Sequence, residues 1–97
     1  QFAYFLDRLK GIPEGAGSLL DQSMVVYGAA ISDGNRHNHD DLPILLGGRA
    51  GGAFATGRHV RYPRNTPMAN LFLSMLDQLE VPAERLGDST GRLAQLA

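Results

Sequence analysis

Two of the chain's three histidines, His37 and His39, stand with three aspartates and Arg36 inside SDGNRHNHDD, residues 32 to 41. Neutral imidazole is a strong donor to divalent metals, and a carboxylate from Asp33, Asp40 or Asp41 would complete a three-ligand shell with one position left for water. In an extended segment, rings two residues apart project to the same side. A metal so held lowers the pKa of its water and polarises a phosphoryl or sulfuryl oxygen, which is the chemistry of ester hydrolysis. Asp33, His37 and His39 are the expected ligands of zinc, manganese or iron, and Arg36 would steady an anionic ester. The same residues also read as a solvated turn, because SDGN is ordinary turn chemistry.

Other motifs are less specific. Arg58, His59, Arg61 and Arg64, with Tyr62 among them, form the only local basic cluster, and it suits a phosphate or a solvated edge paired with carboxylates. GGRAGG, residues 47 to 52, has neither a P-loop ending nor dinucleotide-binding spacing and reads as a turn. GDSTG, residues 87 to 91, follows no strand, so Ser89 is expected to be a turn residue and not a nucleophile.

The elements that would position the loop follow from periodicity. Phe2, Phe5, Leu6 and Leu9 fall on one helical face that stops near Gly11 and Pro13. MVVYGAA, residues 24 to 30, and LPILL, residues 42 to 46, are short apolar runs of the kind found in strands covered on both faces. They predict neighbours in a parallel or mixed sheet, with Asp33 near the carboxyl end of the first, where open α/β sheets bind ligands. Thr66 and Pro67 predict the start of a last helix carrying Met68, Leu71, Phe72, Met75, Leu76 and Leu79 on its apolar stripe, ended by Val81 and Pro82.

At 97 residues the chain has room for one ordinary domain or a piece of one. Nine basic residues against ten acidic leave no global field for nucleic acid or an anionic membrane, and no apolar run is long enough to span a bilayer. Eight of the nine basic residues are arginine, which fits the bias of the source better than it fits anion recognition. Absence of cysteine removes disulfides, thiolate metal sites and cysteine nucleophiles. Two strands and two helices cannot close a large sheet, so free edges and self-association are expected of the chain alone, together with missing upstream sequence.

LDRLKGIPEGAGSLLDQSMVVYGAAISDGNRHNHDDLPILLGGRAGG followed by GRHVRYPRNTPMANLFLSMLDQLEVPAERLGDSTGRL resembles the carboxy-terminal region of the bacterial HXXSHH-motif family. The naming motif is not among these residues, and the resemblance implies that it lies upstream. It also implies an exported protein, periplasmic or extracellular, with no established activity. More distantly, YGAAISDG, RHNHDD and LPILLGG follow the order of a metal-binding strand, loop and strand in the alkaline phosphatase and sulfatase superfamily. On that likeness Asp33 would match the strand-end carboxylate and His39, less readily His37, the later histidine. Gly34 stands where the superfamily has a His, and the nucleophile would lie upstream.

The expectation is therefore an α/β fold. Residues 1–97 would be a single C-terminal portion of a larger, alkaline-phosphatase-like domain, a fragment of a layered, mostly parallel sheet with flanking helices. The leading expectation is a part of a metal-dependent phosphate or sulfate ester hydrolase, inactive alone; the alternative is a non-catalytic periplasmic or cell-surface binding module for carbohydrate, a protein or a structural metal.

Overall fold

The helical spacing of Phe2, Leu6 and Leu9 is realised in α1, Phe2–Lys10, which ends at Gly11 with Arg8 and Lys10 in its last turn, where cations oppose the helix dipole. The computed structural model describes all 97 residues, Gln1–Ala97, and they divide into two compact units, Gln1–Thr56 and Gly57–Ala97.

In the first unit, β1 (Pro13–Glu14) and β2 (Gly17–Ser18) make a minimal antiparallel hairpin. Asp21 in the following 3-10 turn, Leu20–Gln22, accepts hydrogen bonds from the Ser18 amide at 2.9 Å and the Ser18 hydroxyl at 3.1 Å. The Ser18 amide is the chief reason the Asp21 carboxyl is held below its ordinary range. β3, Val25–Gly28, pairs with β4, Ile44–Gly47, and a second 3-10 turn, Ala50–Gly52, follows.

That pairing overturns the expected architecture. The two apolar runs do form strands, but they are antiparallel, with Tyr27 opposite Leu45 and Val25 opposite Gly47, in a sheet of only two strands. There is no layered, mostly parallel sheet, and the alkaline-phosphatase-like reading of the fold falls with it. The physical reason lies in residues 29 to 43. A parallel pair needs a crossover, ordinarily a helix, whereas this segment folds back on itself and delivers the chain as a hairpin. Nor are the strands covered on both faces, since Tyr27 is 58% and Leu45 55% exposed. α1 meets the pair through Phe2, whose ring stacks on Tyr27 with centroids 5.2 Å apart, and through Leu6, which lies over Gly47 where a Cβ would stand 2.7 Å from Leu6 Cδ2.

In the second unit, α2 runs Ala69–Gln78, starting later than predicted because the Thr66 hydroxyl donates to Pro63 O at 2.7 Å and caps nothing. Its buried residues are Asn70, Leu71, Leu73 and Ser74, so the buried face is rotated from the apolar stripe and Leu79 is left 60% exposed. A polar row at i, i+4 and i+7 explains the rotation. Asn70 holds Thr90 by two hydrogen bonds (Asn70 Nδ2 to Thr90 Oγ1, 3.1 Å; Thr90 N to Asn70 Oδ1, 2.9 Å). Ser74 Oγ accepts Leu93 N at 2.9 Å, and Asp77 receives the Arg92 guanidinium in two bonds of 3.0 Å each. These residues dock an irregular strap, residues 83 to 97, on the helix.

The Arg92 hydrogen bond holds the Asp77 carboxyl below its ordinary range and raises the guanidinium. A carboxyl whose native pKa is depressed adds stability above its unfolded pKa, and that contribution disappears as pH falls through the native value. Strap docking should therefore be indifferent to pH near neutrality and weaken only in acid, below about pH 4. Following the Arg92 Nε–H resonance during acid titration checks this, and Asp77→Asn should abolish the transition. No helix is long and apolar enough to cross a membrane.

Candidate functional site

The loop between β3 and β4 is closed by an isolated antiparallel bridge between Asp33 and Asn38. Ser32 donates to Asn38 O twice, from its amide at 2.7 Å and its hydroxyl at 3.1 Å, and residues 34 to 37 form the enclosed turn. SDGN thus behaves as its composition dictates. Asp33 Oδ1 accepts the Asn35 amide at 2.9 Å and the Arg36 amide at 3.3 Å, the Asx-turn that aspartate forms before a reversal. Asn38 does the same for the Asp40 amide at 2.8 Å.

The two histidines have different surroundings. His37 occupies the turn with φ 55°, a left-handed conformation, so the extended geometry that would place its ring beside that of His39 is absent. His39 is anchored: Nδ1 lies 2.7 Å from Ala30 O. A carbonyl can only accept, so Nδ1 carries the proton, and in the neutral ring Nε2 keeps its lone pair. This is how proteins orient imidazoles that bind metals or take up protons. Arg36 is exposed, whereas Arg92 is paired with Asp77.

A divalent shell needs its donors roughly 2.0 to 2.6 Å from one point. No group of three or more His, Asp or Glu side chains in the structure is placed to hold a metal ion. Asp33 has spent one oxygen on its own turn, and His37 is carried by a different part of it. Of the three, His39 alone has the support expected of a ligand. Family models, characterised proteins and solved structures were compared with the chain, and none matches. The family likeness thus rests on the residues that carry it.

Sequence reasoning left one role unassigned. Arg58 donates to Gln95 O and Ala97 O, and the Tyr62 hydroxyl donates to Ala94 O at 2.5 Å, so part of the basic cluster clasps the end of the strap. Burial raises the Tyr62 pKa, which keeps that donor protonated. Ser89 is the expected turn residue: it is buried, and its hydroxyl accepts the Leu86 amide at 2.9 Å. The clasp made by Arg58 and Tyr62 has no local signature, since its partners are separated by tens of residues, whereas the turn at Ser89 is announced by GDSTG.

Proposed function

We infer that this chain is a non-catalytic binding module of an exported protein, with the loop from Ala30 to Asp41 as its recognition surface. One observation carries the reading: the loop satisfies its own polar groups, through the Asp33 and Asn38 turns and the His39–Ala30 contact, while Arg36, His37 and His39 stay exposed. A loop held by internal bonds loses little freedom on binding. Asp33, Asp40 and Asp41 outnumber Arg36, so the local field opposes a free phosphate or sulfate ester and suits a neutral polyhydroxyl ligand such as a carbohydrate, or a cation. Residence outside the cytoplasm rests on the resemblance to the HXXSHH-motif family.

The hydrolase reading keeps one supporting observation, the anchored His39 with Nε2 directed away from its own backbone partner. It requires further ligands and a nucleophile from outside these residues. The two readings separate in one set of measurements on the protein at its natural length. Metal analysis and hydrolysis of aryl phosphate and sulfate esters should give neither stoichiometric metal nor turnover, while a glycan screen should yield binding that weakens about tenfold or more on His39→Ala, the loss of one buried contact's worth of affinity. Stoichiometric zinc, manganese or iron that disappears in the same variant, together with ester hydrolysis, would establish the hydrolase instead.

A further inference from the structure

α2 ends in a cap whose backbone pattern asks for glycine and has glutamate. Val81 N reaches back to Leu76 O and Glu80 N to Asp77 O, both at 3.1 Å, the pair of bonds that closes a helix through a left-handed residue. That residue is Glu80, with φ 59°. A Cβ in this conformation meets the following carbonyl, so glycine is the usual occupant and any other residue is strained. Val81 and Pro82 immediately beyond suit the end of a helix, so the strain of the cap is concentrated in Glu80. The sharp reversal that brings the strap back onto its own helix is thus opposed at one position, Glu80.

The reversal makes a row of directional polar contacts and leaves Leu93 and Leu96 half-buried. Thr90 meets Asn70, Leu93 meets Ser74, Arg92 meets Asp77, and Tyr62 and Arg58 hold Ala94 and Gln95. None of these contacts depends on the strap belonging to the same chain. Leu79 and Val81 at the hinge are 60% and 58% exposed, so closing the strap leaves them uncovered. Short strained hinges favour exchange of an identical element between two copies.

We propose that the strap, residues 83 to 97, exchanges between two copies of this chain, with residues 79 to 82 opening as the hinge. Each strap then docks on the Asn70, Ser74 and Asp77 row of the other copy and keeps the same hydrogen bonds. Two extended hinges run side by side and cover Leu79 and Val81. Glu80 leaves its left-handed conformation in both chains, and this relief is the part of the balance that favours the exchanged pair.

Charge reversal at one contact tests the exchange. Asp77→Arg alone and Arg92→Asp alone each place like charges where helix and strap meet, whether the strap is closed or exchanged between identical copies. When the two variants are unfolded and refolded together, both docking sites of an exchanged heterodimer regain an opposite-charge pair. Native mass spectrometry should then show the heterodimer several-fold above its statistical share. A monomeric mixture, or dimers at the statistical share, would overturn the proposal. A second arm leaves that contact intact: Glu80→Gly relieves the closed cap in each copy by about tenfold, so the dimerisation constant of the otherwise natural chain, read by light scattering, should fall on the order of a hundredfold. A dimer insensitive to Glu80→Gly would exclude strap exchange as its cause.

Discussion

Gly48→Ala is expected to disrupt the first unit at a cost of about 4 kcal/mol, the largest effect of any single methyl addition in that unit. Gly48 follows β4 with φ 90°, and a Cβ there would stand 2.1 Å from Ser23 O and 2.7 Å from Ser23 C. Both are backbone atoms, so no rotamer change relieves the overlap. Ser23 O also accepts the Ala50 amide at 3.1 Å, and moving the carbonyl breaks the bond that seats the 3-10 turn. The left-handed backbone contributes roughly 1 to 2 kcal/mol, the lost bond about 1, and the overlap roughly 1 to 3. Gly52→Ala separates these causes. Gly52 has φ 101° with nothing within 4 Å of the added Cβ, so it should show the backbone cost alone. Urea denaturation of both variants, followed by circular dichroism, measures the difference; equal losses would refute the steric account.

Leu73→Ala is expected to cost about 3 kcal/mol, within the roughly 2 to 5 kcal/mol range for emptying a buried leucine site. Leu73 has 0% exposure and is the one large side chain that is fully buried; only Phe54 and Leu71 join it among buried apolar side chains. With so little apolar burial elsewhere, the loss is a large part of the stability ordinary for a chain this size. A fall in melting temperature of roughly 12 to 24 °C follows, at about 4 to 8 °C per kcal/mol for a domain near this length. Leu79→Ala, at a residue 60% exposed, should shift the transition by no more than a degree or two either way for the closed strap. Calorimetry of the pair decides whether burial at Leu73 sets the stability or whether polar docking of the strap outweighs it.

The elements themselves were readable where a pattern is local. The period of Phe2, Leu6 and Leu9 and the stop at Gly11 describe α1, because helix formation depends on residues three and four apart. The runs at 24 to 30 and 42 to 46 contain the two strands, yet their composition is silent on pairing sense, and reading them as doubly covered led to a parallel sheet that the chain does not have. In α2 the apolar stripe marked only part of the buried face: Leu71 is buried and Met68, Phe72, Met75 and Leu76 are half-buried, while Leu79 is exposed. Asn70 and Ser74 look like solvent positions until residues 90 to 93 arrive to satisfy them.

The loop shows the same division at the level of chemistry. Its density of imidazole and carboxylate groups is evident in SDGNRHNHDD, and so is its tendency to turn. Whether those groups converge depends on backbone angles at single residues: the left-handed His37 and the Asp33 side chain folded onto the Asn35 and Arg36 amides replace the extended geometry on which their alignment was expected. The bond from His39 to Ala30, nine residues apart, decides which ring nitrogen is offered outward.

Amino-acid order alone thus determined the helices, the strand segments, the turns and the absence of thiol chemistry, since each depends on neighbours a few positions away or on composition. Tertiary structure decided the antiparallel pairing, the polar docking of the strap on α2 and the anchoring of His39 on Ala30. Those outcomes turn on which distant groups satisfy one another's hydrogen bonds, and no short stretch of the chain encodes that choice.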